Sequence, residues 1–102
     1  MTDRELLELA AKAAGIPLKP DFVDRFDYYM AAPLMWNPLT DDGDALRLAV
    51  ALDIPISSES VNGSTWVCKE KLQVMQPHEG DPYAATRRAI VRAAAEIGRM
   101  TR

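Results

Sequence analysis

The fold of this chain is decided by residues 56–76, ISSESVNGSTWVCKEKLQVMQ. Asn62-Gly63 is the favoured residue pair of a type I′ hairpin turn, because both residues tolerate positive φ. Good strand formers lie on both sides of this pair. The charged run 69–71 interrupts the downstream side, which is therefore either one long strand or two strands. The segment predicts an antiparallel hairpin.

Helical patterns precede and follow this hairpin. Thr2 and Glu5 form a capping box ahead of apolar residues at helical spacing, and a glycine suited to the left-handed C′ position follows, which predicts a first helix over residues 3–14. Asp81-Pro82 is a strong start signal for a helix over about 82–99. Its many alanines favour helix and permit close packing.

A shorter helix is predicted over about 41–52, with Thr40 as its N-cap. Between the first helix and this one, residues 16–24 are interpreted as a connector because they contain two prolines. The aromatic-rich stretch 25–32 favours a strand. Residues 34–36 are either a return strand or an apolar lead into the short helix.

The element order predicts an α+β fold in one domain spanning residues 1–102. Two terminal helices and a short middle helix are expected to pack on a small antiparallel sheet, in α/β/α-type layers. The apolar faces expected against the sheet consist of Leu6, Ala10 and Ala13 in the first helix and of Thr86, Ile90, Ala93 and Ile97 in the last. Tyr83 clusters on the same side of the last helix.

Composition excludes several classes of protein. The chain is 48% apolar and 26% charged, as in an average globular domain. No apolar run approaches the roughly 20 residues of a membrane span, and the polar N-terminus does not resemble a signal peptide. A single cysteine cannot form an internal disulfide. We therefore expect a cytoplasmic protein that needs no cofactor.

Three carboxylates cluster at the start of the short helix, at Asp41, Asp42 and Asp44. Carboxylate oxygens suit hard divalent cations, but the spacing does not fit a calcium loop. Helix capping and compensation of the helix dipole explain the same residues, so we expect no metal site.

His78 and Cys68 are the strongest candidates for catalytic chemistry. His78 lies in a loop beside Glu79 and Asp81, which favours a solvated side chain over a general base. Cys68 lies in a strand pattern without a nucleophile signature, which favours a buried, inert thiol. An enzyme is therefore the weakest of the functional hypotheses.

Arg88, Arg92 and Arg99 form a stripe on one side of the last helix. From residue 81 onward the net charge is +3, whereas residues 1–80 carry −6. The stripe is a possible interaction surface for an acidic partner or a nucleic-acid backbone. A solvated face with Arg92 paired to Glu96 is the alternative, and the acidic remainder makes nucleic acid the less favoured partner.

Self-association is suggested by residues 45–52, which are apolar at every position except Arg47. Leu48 and Val50 are therefore candidates for a dimer or partner contact, with Arg47 at its rim. Alternatively, residues 26–36 cover this helix and the protein is a monomer. The aromatic residues, Trp36 and Trp66 among them, are expected mainly in the core.

Two stretches carry a family resemblance: 36–49, WNPLTDDGDALRLA, and 84–98, AATRRAIVRAAAEIG. Together with the first helix they resemble the phage α/β/α-sandwich domain, a family of small proteins of tailed phages and prophages. The resemblance implies that architecture and a phage or prophage origin, but it supplies no site residues. We expect a non-enzymatic accessory protein that acts through protein contacts. The alternative is a small nucleic-acid-associated or regulatory protein that uses the arginine stripe.

Overall fold

A computed structural model of the chain describes residues 1–16, 18–20, 28–30 and 35–101. These residues form the helices α1 (Asp3–Ala14), α2 (Asp42–Ala51) and α3 (Pro82–Met100). The strands are β1 (Leu18–Pro20), β2 (Tyr28–Met30), β3 (Met35–Trp36), β4 (Ile56–Glu59), β5 (Ser64–Lys69) and β6 (Leu72–Pro77). The described strands form two antiparallel sheets, in the orders β1-β2-β3 and β4-β5-β6. The predicted α+β class is confirmed.

The start of α1 and of α3 is set by the capping residues that the sequence predicts. The Glu5 N–H donates to the Thr2 hydroxyl at 3.1 Å, and Gly15 ends α1 with φ +69°. The Ala84 N–H donates to the Asp81 carboxylate at 3.0 Å, with Pro82 in the first turn of α3. Both predicted helices are confirmed.

The N-cap of α2 is Asp41, so the prediction of Thr40 is wrong. The Asp44 N–H donates to the Asp41 carboxylate at 2.8 Å. Thr40 instead belongs to a turn in which the amides of residues 40 and 41 both donate to the Asn37 carbonyl. This turn moves the helix start one residue along the chain.

The predicted hairpin is confirmed as β4 and β5, which pair from Ile56↔Val67 to Glu59↔Ser64. Its turn differs from the type I′ prediction. Gly63 alone adopts positive φ in this turn, at +60°, and its N–H donates to the Ser60 carbonyl at 3.2 Å. Four residues therefore connect the strands, and Asn62 needs no left-handed conformation.

The charged run 69–71 contains the turn between two strands. The segment after the hairpin turn is therefore two strands rather than one long strand. Lys69 pairs with Leu72, so Glu70 and Lys71 alone form the connection between β5 and β6. Glu70 has φ +54°, a conformation that L-residues rarely adopt. A glutamate thus occupies a turn position that favours glycine.

α3 lies at the centre of the molecule. It packs on the β4-β5-β6 sheet, on α1 and on α2, whereas α1 packs mainly on α3 and makes little contact with the sheet. α3 therefore covers the sheet, and α1 covers α3. Small residues make this possible, and the buried ones in α3 are Ala85, Ala89, Ala93, Ala94, Ala95 and Gly98.

The segment before α2 contains more strand than predicted. β1 lies within residues 16–24, which were expected to be a connector, so that prediction is wrong for Leu18–Pro20. β2 falls within the predicted strand 25–32, although residues 25–27 and 31–32 lie outside the described residues. β3 pairs with β2, which confirms the return strand. Trp36 is buried as expected, with 2% exposure.

Candidate functional site

A groove lies between β4 and α2, with the N-terminal half of α3 as its floor. It has a volume of about 530 Å³ and is lined mainly by apolar side chains. Leu46 of α2, Ile56 of β4 and Tyr83 of α3 line it with exposures of 62%, 37% and 71%. Three large apolar side chains from three different elements are thus exposed to solvent in one concave surface.

The strand pattern of β4 creates one wall of this groove. Successive side chains of a strand point to opposite faces, so Ile56 and Ser58 share the face that lies towards α3. They pair with Val67 and Thr65, which are both fully buried. β4 ends the strand order and pairs with β5 alone among the described residues.

An arginine of α3 fixes the opposite wall. Arg87 donates from Nε to the Leu39 carbonyl at 2.9 Å and from Nη1 to the Asp42 carboxylate at 2.6 Å. The Arg87 side chain is only 19% exposed, whereas the Asp42 side chain is 71% exposed, so solvent screens the pair from the Asp42 side. Arg87 therefore links α3 to the start of α2 and to the turn before it.

A cluster of three hydroxyls and one imidazole lies at the end of the groove. The Thr65 hydroxyl is 2.7 Å from the Thr86 hydroxyl and 3.0 Å from Nε2 of His78. The Ser58 hydroxyl is 3.4 Å from both the Thr65 hydroxyl and His78 Nε2. Ser58 and Thr86 also line the groove, so the cluster can offer hydrogen bonds to a bound molecule.

His78 is half-buried, which corrects the expectation of a solvated loop side chain. The physical reason is the position of its backbone, whose N–H donates to the Gly63 carbonyl at 2.8 Å and whose carbonyl accepts from Asp81. These bonds hold the ring over Thr65. The neighbouring Asp81 caps α3 and does not orient the imidazole, and no described carboxylate bonds to it.

Cys68 is exposed, so the prediction of a buried thiol is wrong. Thr65 and Val67 point towards α3, and the alternation of β5 therefore places Cys68 on the opposite face of the sheet. That face also carries Trp66, which is 40% exposed rather than in the core. A Cys68–His78 catalytic pair is excluded by this geometry, because the two side chains lie on different faces of the sheet.

The three acidic residues at the start of α2 each have a protein partner. Asp41 caps the helix, and Asp42 bonds to Arg87. Asp44 is buried, accepts from the Asn37 N–H at 3.0 Å and pairs with Arg47 at 2.8 Å. Across the residues that the structure describes, no group of His, Cys, Asp or Glu is arranged to hold a metal ion.

The arginine stripe makes contacts within the protein. Arg88 pairs with Asp3 of α1 at 2.9 Å. Arg92 donates to the Met75 carbonyl and to the Gln76 side chain of β6, both at 2.9 Å. Glu96 pairs with Arg99 at 3.0 Å. The expected Arg92–Glu96 pair is therefore wrong, because Arg92 reaches the sheet instead.

The residues predicted for a dimer or partner contact fall into two groups. Leu48 is 2% exposed and belongs to the core, so its predicted role at an interface is wrong. Arg47 and Val50 are exposed, with 72% exposure for the Arg47 side chain and 68% for Val50. Leu48 shares the buried face of α2 with Ala45 and Ala49, whereas Leu46 and Val50 lie on a second apolar side that stays exposed.

The sequence patterns did not predict that Leu46, Ile56 and Tyr83 are exposed in one groove. Periodicity groups Tyr83 with the apolar side of the last helix, yet this residue of the first turn of α3 is 71% exposed. Leu46 sits in an apolar run that does not distinguish exposed from buried positions. The only available signal was that this run was apolar on too many sides for a small domain.

Comparison of the chain with protein-family models, with curated proteins and with solved structures finds no match. Among the described residues, no helix combines the length and apolar character needed to cross a membrane.

Proposed function

We propose that this chain is a non-enzymatic accessory protein that acts by binding another protein through the groove between β4 and α2. The observation that carries this proposal is the convergence of Leu46, Ile56 and Tyr83 in one concave surface. Small domains rarely leave several large apolar side chains together in water, and such patches commonly mark protein interfaces. Tyrosine is also among the residues enriched at interfaces.

The proposal includes a phage or prophage origin. Its support is the resemblance of residues 36–49 and 84–98 to the phage α/β/α-sandwich domain. The first of these stretches contains Asp42 and Leu46, and the second contains Thr86 and Arg87, so both stretches contribute to the groove. A shared motif that builds a surface is compatible with a shared mode of binding.

The two other functional classes have less support. A nucleic-acid role would use the arginine stripe, yet its three side chains bond to Asp3, to β6 and to Glu96. An enzyme would need a group to orient and activate His78, and no described carboxylate contacts this ring. Protein binding needs neither a cation surface nor an activated nucleophile.

Affinity purification of the tagged protein from a bacterial host that carries the gene in its natural genetic context tests the proposal. Leu46→Glu places a charge in the groove, whereas Met100→Glu alters a residue of similar exposure, 70%, at the far end of α3. We expect one protein to co-purify with wild type and Met100→Glu and to be lost with Leu46→Glu. Thermal melts of both variants provide the folding control.

Retention of the same partner by Leu46→Glu would contradict the proposal, provided that this variant is folded. Equal loss in both variants would also contradict it. Met100 lines a separate cleft with Leu72 and Ile97, so selective loss in Met100→Glu would move the interface to that end of the molecule.

A further inference from the structure

We infer that Asn62 is a site of spontaneous deamidation, in which the backbone nitrogen of Gly63 displaces the side-chain amine and water then yields aspartate or isoaspartate. The site lies in the turn between β4 and β5. This covalent change is independent of the proposed function, because it needs only this turn and water. Its basis is the exposure of Asn62, the glycine that follows it and the hydrogen bonds of the turn.

The glycine permits the reaction. Ring closure brings the nitrogen of the following residue onto Cγ of the asparagine, and a side chain on that following residue crowds the approach. Gly63 has no side chain, and a Cβ built at this position would meet nothing within 4 Å apart from its chain neighbours. Asn62 is exposed, so water reaches its side-chain amide. The turn therefore provides open space for the cyclic intermediate.

The reaction balances with water as its co-reactant. The Gly63 nitrogen forms a bond to Cγ of Asn62 and gives up its proton, the Cγ–Nδ2 bond breaks, and the amine leaves with that proton as ammonia. The product is a succinimide ring. Water then adds to either ring carbonyl, so that opening at Cγ gives aspartate and opening at the main-chain carbonyl gives isoaspartate. No group is oxidised or reduced.

Two hydrogen bonds of the native turn oppose the first step. The Gly63 N–H donates to the Ser60 carbonyl at 3.2 Å, and Nδ2 of Asn62 donates to the Glu59 carboxylate. Both bonds must open before ammonia can leave. Local opening of an exposed loop tip costs little free energy. We therefore expect deamidation to be slower in the folded protein than in a free peptide of the same residues, but not to be blocked.

Asn37, the other asparagine of the chain, provides an internal comparison. The next residue is Pro38, whose nitrogen carries no proton to give up and cannot close the ring. Asn37 is also only 9% exposed, and its side-chain oxygen accepts from the Leu39 N–H at 3.0 Å. Under one set of conditions, Asn62 should therefore react while Asn37 stays intact.

Deamidation changes the contacts at the turn end of the hairpin. A carboxylate at position 62 no longer donates to Glu59, so two negative charges replace a hydrogen-bonded pair. Isoaspartate also lengthens the main chain by one atom within the turn that the pair Glu59↔Ser64 closes. The carbonyl of Gly63, which accepts from the His78 N–H at 2.8 Å, follows directly. We therefore expect the modified protein to hold this end of the hairpin less firmly.

Incubation of the full chain in mildly alkaline buffer, followed by tryptic digestion and mass spectrometry, tests the inference. Cleavage after Arg25, Arg47 and Lys69 places Asn37 and Asn62 on separate peptides. We expect the peptide of residues 48–69 to acquire two separable products, with aspartate and with isoaspartate, while the peptide of residues 26–47 keeps its amide. Digestion of a sample taken before incubation controls for deamidation during the digest.

Gly63→Ala is the matched variant, because its methyl group crowds ring closure while the asparagine is unchanged. We expect both products to form at least about tenfold more slowly. Since alanine disfavours the φ of +60° found at Gly63, the same comparison is made in free peptides of residues 58–67 that carry glycine or alanine. The peptides remove any effect of the substitution on folding.

An Asn62 that stays intact in the full chain while the free glycine peptide is converted would overturn the inference. Formation of aspartate without isoaspartate would also overturn it, because direct hydrolysis of the side chain gives that product alone. Equal rates for the glycine and alanine peptides would exclude the succinimide route. In the isolated isoaspartate form, we expect faster amide hydrogen exchange at residues 57–59, and unchanged exchange would contradict the loosening of the hairpin.

Discussion

Gly98 determines how closely α1 and α3 approach each other. A Cβ at this position would lie within 2.8 Å of the Leu9 carbonyl carbon and would overlap the carbonyl oxygen. Because the obstacle is backbone, a larger residue forces the two helices apart. The Gly98→Ala variant should therefore lose at least about 1 kcal/mol of unfolding free energy, even though alanine favours helix. Urea denaturation of the purified protein measures this loss.

Gly43→Ala is the matched control for this prediction. Gly43 also lies in a helix, but its Cβ would meet side-chain atoms rather than backbone: the Arg47 guanidinium at 3.1 Å and the Asp41 carboxylate at 3.2 Å. Because these side chains can move, we expect a smaller loss than for Gly98→Ala, or a gain of up to about 1 kcal/mol from helix propensity. Equal effects of the two substitutions would contradict the close packing of α1 on α3.

At the scale of single residues, local sequence patterns predicted the N-caps of α1 and α3 but did not predict which side chains are exposed to solvent. The capping box of Thr2 and the cap at Asp81 depend on neighbours within three positions, so the sequence contains all the information. The exposure of Tyr83, Trp66 and Cys68 depends on which surfaces α3 and the sheet cover. That is a property of tertiary packing, and periodicity within one element does not contain it.

The two candidates for the α2 N-cap give different results on substitution. Asp41→Ala removes the acceptor of the Asp44 N–H and should lower the free energy of unfolding by about 1 kcal/mol. Thr40→Ala should have a much smaller effect, because its hydroxyl makes only a long contact of 3.4 Å with the Asn37 carbonyl. Thermal or urea unfolding compares the two variants, and a larger loss for Thr40→Ala would contradict the position of the cap.

The β5–β6 turn contains an unfavourable backbone conformation that can be relieved. Glu70 has positive φ, which costs an L-residue roughly 1–2 kcal/mol, and glycine avoids this cost. After subtraction of the greater unfolded-state entropy of glycine, Glu70→Gly should stabilise the protein by about 0.5–1 kcal/mol. Glu70→Ala controls for the loss of the charge and should give no such gain in urea denaturation.

At the scale of elements, the hairpin was predictable but its connections were not. Asn62-Gly63 correctly marked a reversal, yet the register places four residues in the turn, and only Gly63 needs positive φ. The β5–β6 turn has no glycine, so the sequence could not distinguish it from a break within one strand. β1 was missed because Pro20 argues against a strand, although an edge strand tolerates proline.

For the whole molecule, the exposed side of α2 is the remaining candidate for self-association. Leu48 is part of the core, but Leu46 and Val50 lie one turn apart on another side of α2 with 62% and 68% exposure. Because two apolar side chains are a small patch for a stable dimer interface, we expect sedimentation equilibrium at tens of micromolar protein to give a mass near 11.3 kDa. A mass twice as large would contradict this expectation and support the dimer.

Leu48→Glu tests the same placement by stability. A charge at this buried position should unfold the protein, because burying an unpaired charge costs several kcal/mol. Val50→Glu is the matched control on the same helix and should fold normally, since Val50 is 68% exposed. Circular dichroism separates the outcomes, and a folded Leu48→Glu variant would contradict the assignment of Leu48 to the core.

The groove between β4 and α2 is the central functional claim, and site-specific photocross-linking tests it most directly. The photoreactive residue p-benzoylphenylalanine replaces Tyr83 in the groove or Met100 at the far end of α3, two positions of nearly equal exposure. In the bacterial host, we predict one cross-linked partner from position 83, its loss when Leu46→Glu is added, and no such adduct from position 100. Equal adducts from both positions, or an adduct from position 83 that persists with Leu46→Glu, would contradict the claim.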